Sequence, residues 1–368
     1  MTSGLNSDYK QKINDISYDL SSIFPPYEIL SLDLTTINTS YTFNLTRNKN
    51  NQTDYIVIPS IYSGTATEGN PSTFSDNISR PLVHSKNSTS FQVAIAGNTF
   101  TGFDLGTLWC LVIYSDSQSN ALPLQNTLSF NNTNDTNSSL INNFPQYMTF
   151  LTKYSINTST DAYVFSFDIS IKGYTGNPLN YFLFSSYELT PNQSTTNVFN
   201  FAKSLDNVLF LTQSAYRTTT FFQGLFTSNY TQNFDLDFYV LTLFPSINNP
   251  NSSYNTNFNS VVNNSTLNLA NIYPRCQYFS QNFSNDNSTI TLNFTVNNTS
   301  GTTNYYIFPS YCYNLLEGSG GTYNGITASG ASRTLIVSNK TATSFTVTFR
   351  KGTGDNWNGG VTCLVIFP

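Results

Sequence analysis

Three loops near the ends of predicted strands place an aspartate close to an aromatic residue, a combination that is typical of carbohydrate-binding sites. In such sites the carboxylate accepts hydrogen bonds from sugar hydroxyls, and the ring stacks on the apolar face of the sugar. The alternative is an aspartate that satisfies backbone N–H groups within a turn. The candidate glycan ligands are Asp104, Asp235, Asp355, Asn356 and Trp357.

The residues that enzymes most often use for acid–base or metal chemistry are scarce. The chain has a single histidine, His84, in a polar stretch that predicts an exposed loop position, and a catalytic triad or histidine metal site would depend on it alone. Nothing in the sequence places two carboxylates roughly 5–10 Å apart across a cleft, as glycoside hydrolysis requires. Phosphate-binding, dinucleotide-binding and GxSxG motifs are also missing. We therefore predict a protein that is not an enzyme and uses no cofactor or metal.

The composition of the 368 residues predicts an all-β fold. Aromatic residues make up 15% of the chain and charged residues only 10%, so Asn, Ser and Thr supply most of the polarity. These three residues disfavour helix interiors because their short side chains compete for backbone hydrogen bonds. Phe, Tyr, Val, Ile and Thr favour pleated sheets. A weak helix over residues 9–20 is the one departure that we expect.

Charge and hydropathy exclude two classes of partner. The net charge is −5, and Arg350–Lys351 is the only adjacent basic pair, so the sequence lacks the basic cluster that neutralises nucleic-acid phosphates. We therefore expect no nucleic-acid partner. The sequence contains no run of 18 apolar residues, so we expect no membrane span. The first fifteen residues are hydrophilic and lack the apolar segment of a signal peptide, which predicts folding in the cytoplasm. The expected partners are copies of this chain, other particle proteins or glycans.

About twenty Asn-X-Ser/Thr sequons occur, and two explanations remain open for them. One is N-glycosylation of an extracellular protein. The other is an Asn/Ser/Thr-rich surface that never meets the glycosylation machinery. The candidate glycosylation sites are Asn44, Asn87, Asn293 and Asn339.

Four cysteines are too few for a disulfide scaffold in a chain of this length. Cys110 and Cys363 lie inside apolar runs, where cysteine usually behaves as a small buried hydrophobic residue. The sequence leaves open whether any of the cysteines pair.

The chain contains five sequence blocks that recur three times in the same order. Residues alternate between apolar and polar within most blocks, as in strands with one buried face, and turn residues separate the blocks. The last block is apolar on both faces and predicts a central strand. In their first, second and third copies the blocks begin at residues 24, 144 and 273; 42, 164 and 291; 55, 181 and 305; 90, 220 and 344; and 110, 240 and 363.

We predict three tandem antiparallel β-sandwich modules, jelly-roll-like or lectin-like, because each copy holds five to seven short strands in roughly 95 residues. Two Asn/Ser/Thr-rich linkers separate the modules. The predicted division is an N-terminal arm 1–23, module 1 at 24–114, a linker 115–143, module 2 at 144–244, a linker 245–272 and module 3 at 273–368.

The second half of each module resembles tail-fibre-tip and H-type-lectin-like β-sandwiches. The resemblance covers about 60 residues per copy: an apolar strand such as Tyr55–Ser60, a variable polar loop, a strand such as Ser90–Ile95 and the terminal apolar strand. Copy three ends in Cys-Leu-Val-Ile rather than in a tryptophan-rich strand. The sugar-contacting residues of those families are therefore not transferred to this chain.

Tandem sandwiches, abundant asparagine and the missing catalytic set also resemble spike, fibre and minor capsid proteins of large DNA viruses. This resemblance implies a non-enzymatic structural protein on the virion surface, assembled in the host cytoplasm, with a contribution to host attachment as a further expectation. Two alternatives remain: a multivalent carbohydrate-binding lectin or adhesin, and a secreted, extracellular cell-wall glycoprotein.

Overall fold

The protein is described by a computed structural model that covers residues 10–13, 16–19, 27–46, 53, 55–64, 78–97, 106–114, 147–157, 162–168, 182–189, 198–199, 208–210, 221–227, 235–245, 275–283, 289–296, 301–314, 334–350 and 358–367. For most strands between residues 147 and 245, only the backbone is described and not the side chains. The linkers, apart from Pro245, lie outside the described residues, and the predicted module boundaries stay a prediction.

The described part of the chain is all-β, which confirms the predicted fold class. Its only helical residues are 198 and 199. The strands are β1 (Lys10–Ile13), β2 (Ile16–Asp19), β3 (Tyr27–Asp33), β4 (Thr39–Asn44), β5 (Tyr55–Tyr62), β6 (Leu82–His84), β7 (Ser90–Ile95), β8 (Thr107–Tyr114), β9 (Tyr147–Asn157), β10 (Ala162–Asp168), β11 (Phe182–Leu189), β12 (Val208–Phe210), β13 (Phe221–Thr227), β14 (Asp235–Pro245), β15 (Arg275–Phe283), β16 (Thr289–Thr295), β17 (Tyr306–Asn314), β18 (Ile336–Ser338), β19 (Ser344–Arg350) and β20 (Asn358–Phe367).

The helix expected over residues 9–20 is wrong, because β1 and β2 pair there as an antiparallel hairpin. Ile13 pairs with Ile16, so only Asn14 and Asp15 separate the strands in sequence. Asn and Asp are the residues that two-residue hairpin connections prefer.

The alternating blocks form strands with one buried face, as predicted. In β16, Ile290, Leu292 and Phe294 are buried, whereas Thr291 and Asn293 between them are exposed. The final apolar blocks form the central strands that we expected: β8 lies between β3 and β5, and β20 lies between β15 and β17. Their Cys-Leu-Val-Ile runs are buried on both faces.

Two six-stranded sheets combine strands from different predicted modules. One has the order β4-β7-β6-β11-β14-β9, and the other has the order β16-β19-β18-β5-β8-β3. Pairing is antiparallel within each module, but β6 joins β11 and β18 joins β5 in parallel. The expectation of purely antiparallel sheets is therefore wrong at these two pairings, where the edge strand of one module meets the edge strand of another.

The same strand order occurs three times. The set β4-β7-β6 recurs as β10-β13-β12 and β16-β19-β18, and the set β5-β8-β3 recurs as β11-β14-β9 and β17-β20-β15. The remaining two sets form separate three-stranded sheets, and β12 of one contacts β17 of the other. In addition, β5, β11 and β17 contact one another in pairs. Equivalent strands from all three copies therefore meet at one place.

In the first copy, the apolar core lies between two layers. Phe43 of β4 and Phe91 of β7 stack at 5.1 Å, and the Tyr55 ring of β5 lies 6.1 Å from that of Phe91. Full burial of a ring such as Phe91 contributes roughly 2–3 kcal/mol. Ile336 of β18 enters the same cluster from the third copy, so the two copies share apolar contacts as well as a sheet.

The third copy repeats this packing. Phe294 and Phe345 stack at 4.9 Å, and the Tyr305 ring lies 6.5 Å from Phe345. The interplanar angles of the stacked pairs, 8° and 13°, also agree. The stacked ring pairs of the first and third copies are therefore equivalent.

Candidate functional site

The predicted glycan ligands lie mostly outside the described residues. This applies to Asp104, Asp355, Asn356 and Trp357. Asp235 is the first residue of β14, where its backbone pairs with that of Asn157. The glycan site stays a prediction.

All four candidate glycosylation sites are exposed. Asn44 lies on β4 and Asn293 lies on β16, and each of these strands is an edge strand of a six-stranded sheet. Asn87 and Asn339 lie in the turns before β7 and β19. Glycan attachment at these sites remains a prediction.

Asn87 already has a structural role in its turn. Its Oδ1 accepts hydrogen bonds from the backbone N–H groups of Thr89 and Ser90, at 2.8 and 3.0 Å. This is the local side-chain-to-backbone bonding that favours Asn in turns.

A reciprocal contact between a tyrosine and a lysine organises the turn between β6 and β7. The Tyr55 hydroxyl donates to the carbonyl oxygens of Asn87 and Ser90, at 2.8 and 2.9 Å. In return, Lys86 Nζ donates to the Tyr55 carbonyl oxygen at 2.9 Å and lies 5.1 Å from the ring centroid. Ser85, just before the lysine, has a φ of 50° and redirects the chain into the turn.

The turn between β18 and β19 has the same geometry. The Tyr305 hydroxyl donates to the carbonyl oxygens of Thr341 and Ser344, both at 2.8 Å. Lys340 Nζ donates to the Tyr305 carbonyl oxygen at 3.0 Å and lies 5.3 Å from that ring. Asn339 has a φ of 49°, like its counterpart Ser85. Lys86 and Lys340 are therefore equivalent residues.

The first lysine reaches an acidic partner in the second copy. Lys86 Nζ lies 2.6 Å from Glu188 Oε2, and both side chains are about nine-tenths buried. Glu188 lies on β11, where its backbone is the parallel partner of Val83. Arg80 Nη1 donates to the Tyr187 hydroxyl at 3.2 Å, and the Ser186 hydroxyl donates to the Val57 carbonyl oxygen. We call this pairing of β6 with β11 the ionic junction.

The second lysine reaches aromatic partners in the first copy, Trp109 and Tyr62, and in its own copy, Tyr306. Lys340 Nζ lies 4.7 Å from the Trp109 ring, 5.0 Å from Tyr62 and 6.0 Å from Tyr306. Trp109 stacks on Tyr62 at 4.7 Å and meets Tyr306 edge-on at 5.4 Å. An ammonium within about 6 Å of a ring face is attracted by the quadrupole of the ring. We call this pairing of β18 with β5 the aromatic junction.

Glu188 and Tyr62 occupy the same position in their copies. Val83 is the parallel partner of Glu188, and Val337 is the parallel partner of Tyr62. The two valines are themselves equivalent, because Val83 pairs with Val93 and Val337 pairs with Val347 in matching places. One position of the repeat therefore decides whether its lysine meets a carboxylate or a ring.

Burial shifts the pKa of several groups. It lowers the pKa of Lys340 to about 8. The surrounding rings act in the opposite direction because they favour the ammonium, and both effects leave Lys340 charged at pH 7. Burial raises the pKa of Tyr305 to about 12, with a smaller contribution from Tyr62, and it also raises the pKa of Tyr55.

His84 is buried in β6, so the exposed loop position expected for it is wrong. Only 7% of the residue is exposed, and its Nε2 lies 2.9 Å from Ser40 Oγ while its Nδ1 lies 3.0 Å from Ser85 Oγ. Burial lowers the pKa of His84 to about 4, so the ring is neutral at pH 7. Its two hydroxyl partners hold it as a structural group.

The buried cysteines are not poised for nucleophilic chemistry. Cys110 and Cys363 are free thiols, and burial raises the pKa of each well above its usual value. Within the described residues, no cluster of three His, Cys, Asp or Glu side chains could hold a metal ion. None of the described helical residues belongs to a helix long and apolar enough to cross a membrane.

Sequence reasoning missed the two lysines, although a signal for them was present. Each lies four residues before the serine that begins the fourth block, Ser90 or Ser344. The block comparison began at those serines and so left the preceding turn out. No protein-family model, curated protein or solved structure matches this chain.

Proposed function

We propose that the chain is a non-enzymatic structural protein of a virus-particle surface, serving as a spike, fibre or minor capsid component. The observation that carries the proposal is the sharing of sheets between copies. A strand of the first copy continues a sheet of the second, and a strand of the third continues a sheet of the first. Such interlocking suits a part that bears load rather than one that opens and closes around a substrate.

The finer fold belongs to the same proposal. We infer three β-sandwich modules arranged around a common axis, at which β5, β11 and β17 meet. Under this arrangement a single chain has the outline of a trimer, and it would fit a threefold position in a particle without needing identical partners. A string of independent modules is the competing arrangement.

The chemistry of the buried polar groups supports a structural role. Tyr55, Lys86 and His84 all bond to neighbouring backbone or side-chain groups. Glu28 is 2% exposed and accepts hydrogen bonds from the backbone N–H and the hydroxyl of Thr46. Buried polar groups satisfied in this way stabilise one conformation.

Detection in particles tests the proposed location. An antibody raised against the recombinant chain should label the surface of intact purified particles in immunogold electron microscopy, and mass spectrometry should find the chain in the same particles. Absence of the chain from purified particles would overturn the proposal. Negative-stain averages of the isolated chain should show a compact three-lobed body, and an extended string of three beads would contradict the common axis.

A glycan array separates this role from the lectin alternative. The structural proposal predicts that the intact chain shows no binding that depends on Asp355 and Trp357. If the chain binds a glycan and the double variant Asp355→Ala/Trp357→Ala does not, the lectin alternative replaces the structural one. The variant Asp33→Ala, at an aspartate of β3 that is not among the candidate glycan ligands, is the matched control.

A further inference from the structure

The ionic junction joins a mostly buried lysine–glutamate pair to a segment that also carries a buried arginine and a buried histidine. Arg80, His84 and Lys86 come from the segment around β6, and Glu188 comes from β11. Arg80 and His84 are 8% and 7% exposed, and Glu188 is 8% exposed. A buried group of this kind depends on the charge of its carboxylate, because a buried ammonium is costly once its counter-charge is lost.

We propose that the ionic junction is an acid-sensitive switch, at which β6 separates from β11 as the pH falls from 7 to about 4.5 while the aromatic junction stays closed. Protonation of His84 drives the opening. The Lys86–Glu188 contact, at 2.6 Å, is the interaction across the strand pairing that the opening breaks. A proton on His84 adds a second cation next to the same strand pairing.

The direction of the histidine effect follows from its burial. The folded chain favours the neutral ring, with a pKa of about 4 rather than the ordinary 6.5. The open state binds a proton below about pH 6.5, whereas the closed state does not until about pH 4. Opening therefore becomes more favourable across this window, and the contribution of neutral His84 to stability is complete only above it.

The groups that face this cluster from neighbouring strands do not cancel the effect. Tyr55 of β5 stays neutral because burial raises its pKa. Glu28 of β3 is the nearby carboxylate of the first copy, and its hydrogen bonds go to Thr46 within that same copy. Ser40 and Ser85 are the hydrogen-bond partners of His84, and neither titrates.

The aromatic junction offers no equivalent response. Ser338 stands where the ionic junction has His84, and Tyr62 stands where it has Glu188. Lys340 is protonated in both the open and the closed state below about pH 8, and the rings around it stay neutral. Between pH 7 and 4.5, nothing described at this junction changes charge.

Hydrogen exchange on the full chain tests the switch. Peptides that cover β6 and β11 should exchange at least about tenfold faster at pH 4.5 than at pH 7, after correction for the intrinsic rate, because one pKa unit of linkage corresponds to about tenfold. Peptides that cover β18 should keep their protection. Equal loss at both junctions, or retention at both, would overturn the proposal.

The chain itself supplies the matched variant. In His84→Ser/Glu188→Tyr the ionic junction receives the residues of the aromatic junction, and the acid-induced exchange of β6 should disappear. Should this variant fail to fold at pH 7, His84→Ser alone should reduce the acid response by several fold. Glu28→Gln is the control and should leave the response intact. An unchanged response in the folded double variant, or in His84→Ser if the double variant does not fold, would refute the switch. The inference goes beyond the proposed structural role and does not depend on it, so either can fail alone.

Discussion

Lys86 contacts Glu188 at 2.6 Å, although 102 positions of sequence separate the two residues. The pair lies where a strand of the first copy continues a sheet of the second. Its counterpart, Lys340, meets rings instead of a carboxylate at the corresponding place. The two junctions therefore share a backbone arrangement and a lysine but differ in what holds the lysine.

Removing one partner of the ion pair should cost more than removing both. Lys86→Met leaves the mostly buried Glu188 without its counter-charge, and we expect a loss of about 3 kcal/mol in the free energy of unfolding. The double variant Lys86→Met/Glu188→Gln should recover more than half of that loss. Urea titrations of the single and double variants measure the coupling. Additive losses would show that the pair contributes nothing beyond its separate side chains.

The two tyrosine contacts should be equivalent in energy. Tyr55→Phe and Tyr305→Phe each remove a hydroxyl that donates to two turn carbonyl oxygens, and each should lower the free energy of unfolding by about 1–3 kcal/mol. Tyr306→Phe, whose ring lies at the edge of Trp109, is the control and should cost less. Thermal unfolding compares the three variants, and a large difference between Tyr55→Phe and Tyr305→Phe would contradict the equivalence.

Replacing Lys340 tests the aromatic junction. Lys340→Ala removes the attraction to Trp109, Tyr62 and Tyr305 and the hydrogen bond to the Tyr305 carbonyl oxygen, and we expect a loss of about 1–3 kcal/mol. Lys340→Arg should retain most of the stability because guanidinium groups also stack on rings. Urea unfolding provides the measurement. A loss in Lys340→Arg equal to that in Lys340→Ala would show that the rings contribute little.

Gly106 is required before β8. Its φ is +79°, and a Cβ atom there would lie 2.1 Å from the Tyr62 carbonyl oxygen. Gly106→Ala should therefore shift the backbone of β5 and greatly reduce the yield of folded protein. Gly64→Ala is the matched control, since that residue has a φ of +55° but nothing within 4 Å of the added atom. The control should cost only about 1 kcal/mol. Circular dichroism and thermal unfolding distinguish the two variants, and equal losses would contradict the close approach.

Thiol labelling checks the burial of the last-block cysteines. Cys110 and Cys363 should resist N-ethylmaleimide at pH 8 in the native chain, because burial both shields the thiols and raises their pKa. Both should react fully in guanidinium chloride. Peptide mass spectrometry assigns the label, and rapid native labelling of either residue would contradict its central strand position.

Strand positions and faces could be predicted from the sequence because alternation fixes them locally. The exact correspondence between copies could not. The sequence blocks match Phe43 with Leu292, but pairing with β7 and β19 makes Phe43 equivalent to Phe294. A shift of two residues keeps every side chain on the same face of a strand. The alternating pattern therefore cannot detect a two-residue shift, and only the pairing with the partner strand shows which residues are equivalent.

The two junctions could not be predicted from the sequence, for a different reason. β6 and β18 have only three residues each, too few for a periodic pattern, and their partners lie in other copies. His84 was misplaced for this reason: its neighbours Ser85 and Lys86 make the stretch read as a polar loop. Nothing local indicates that Val83 will lie beside Glu188. The glycan site could not be compared because most of its residues lie outside the described part.

The joining of β18 to β5 sets a delay during synthesis. The two strands are about 275 residues apart, so at about 5–20 residues per second β18 leaves the ribosome roughly 15–55 s after β5. For that time one edge of β5 is open to any extended strand nearby, including one from a neighbouring nascent chain. Crowded polysomes, more than dilute solution, are therefore where this fold is most exposed to mispairing, and slower initiation of translation should raise the yield of correctly folded chain.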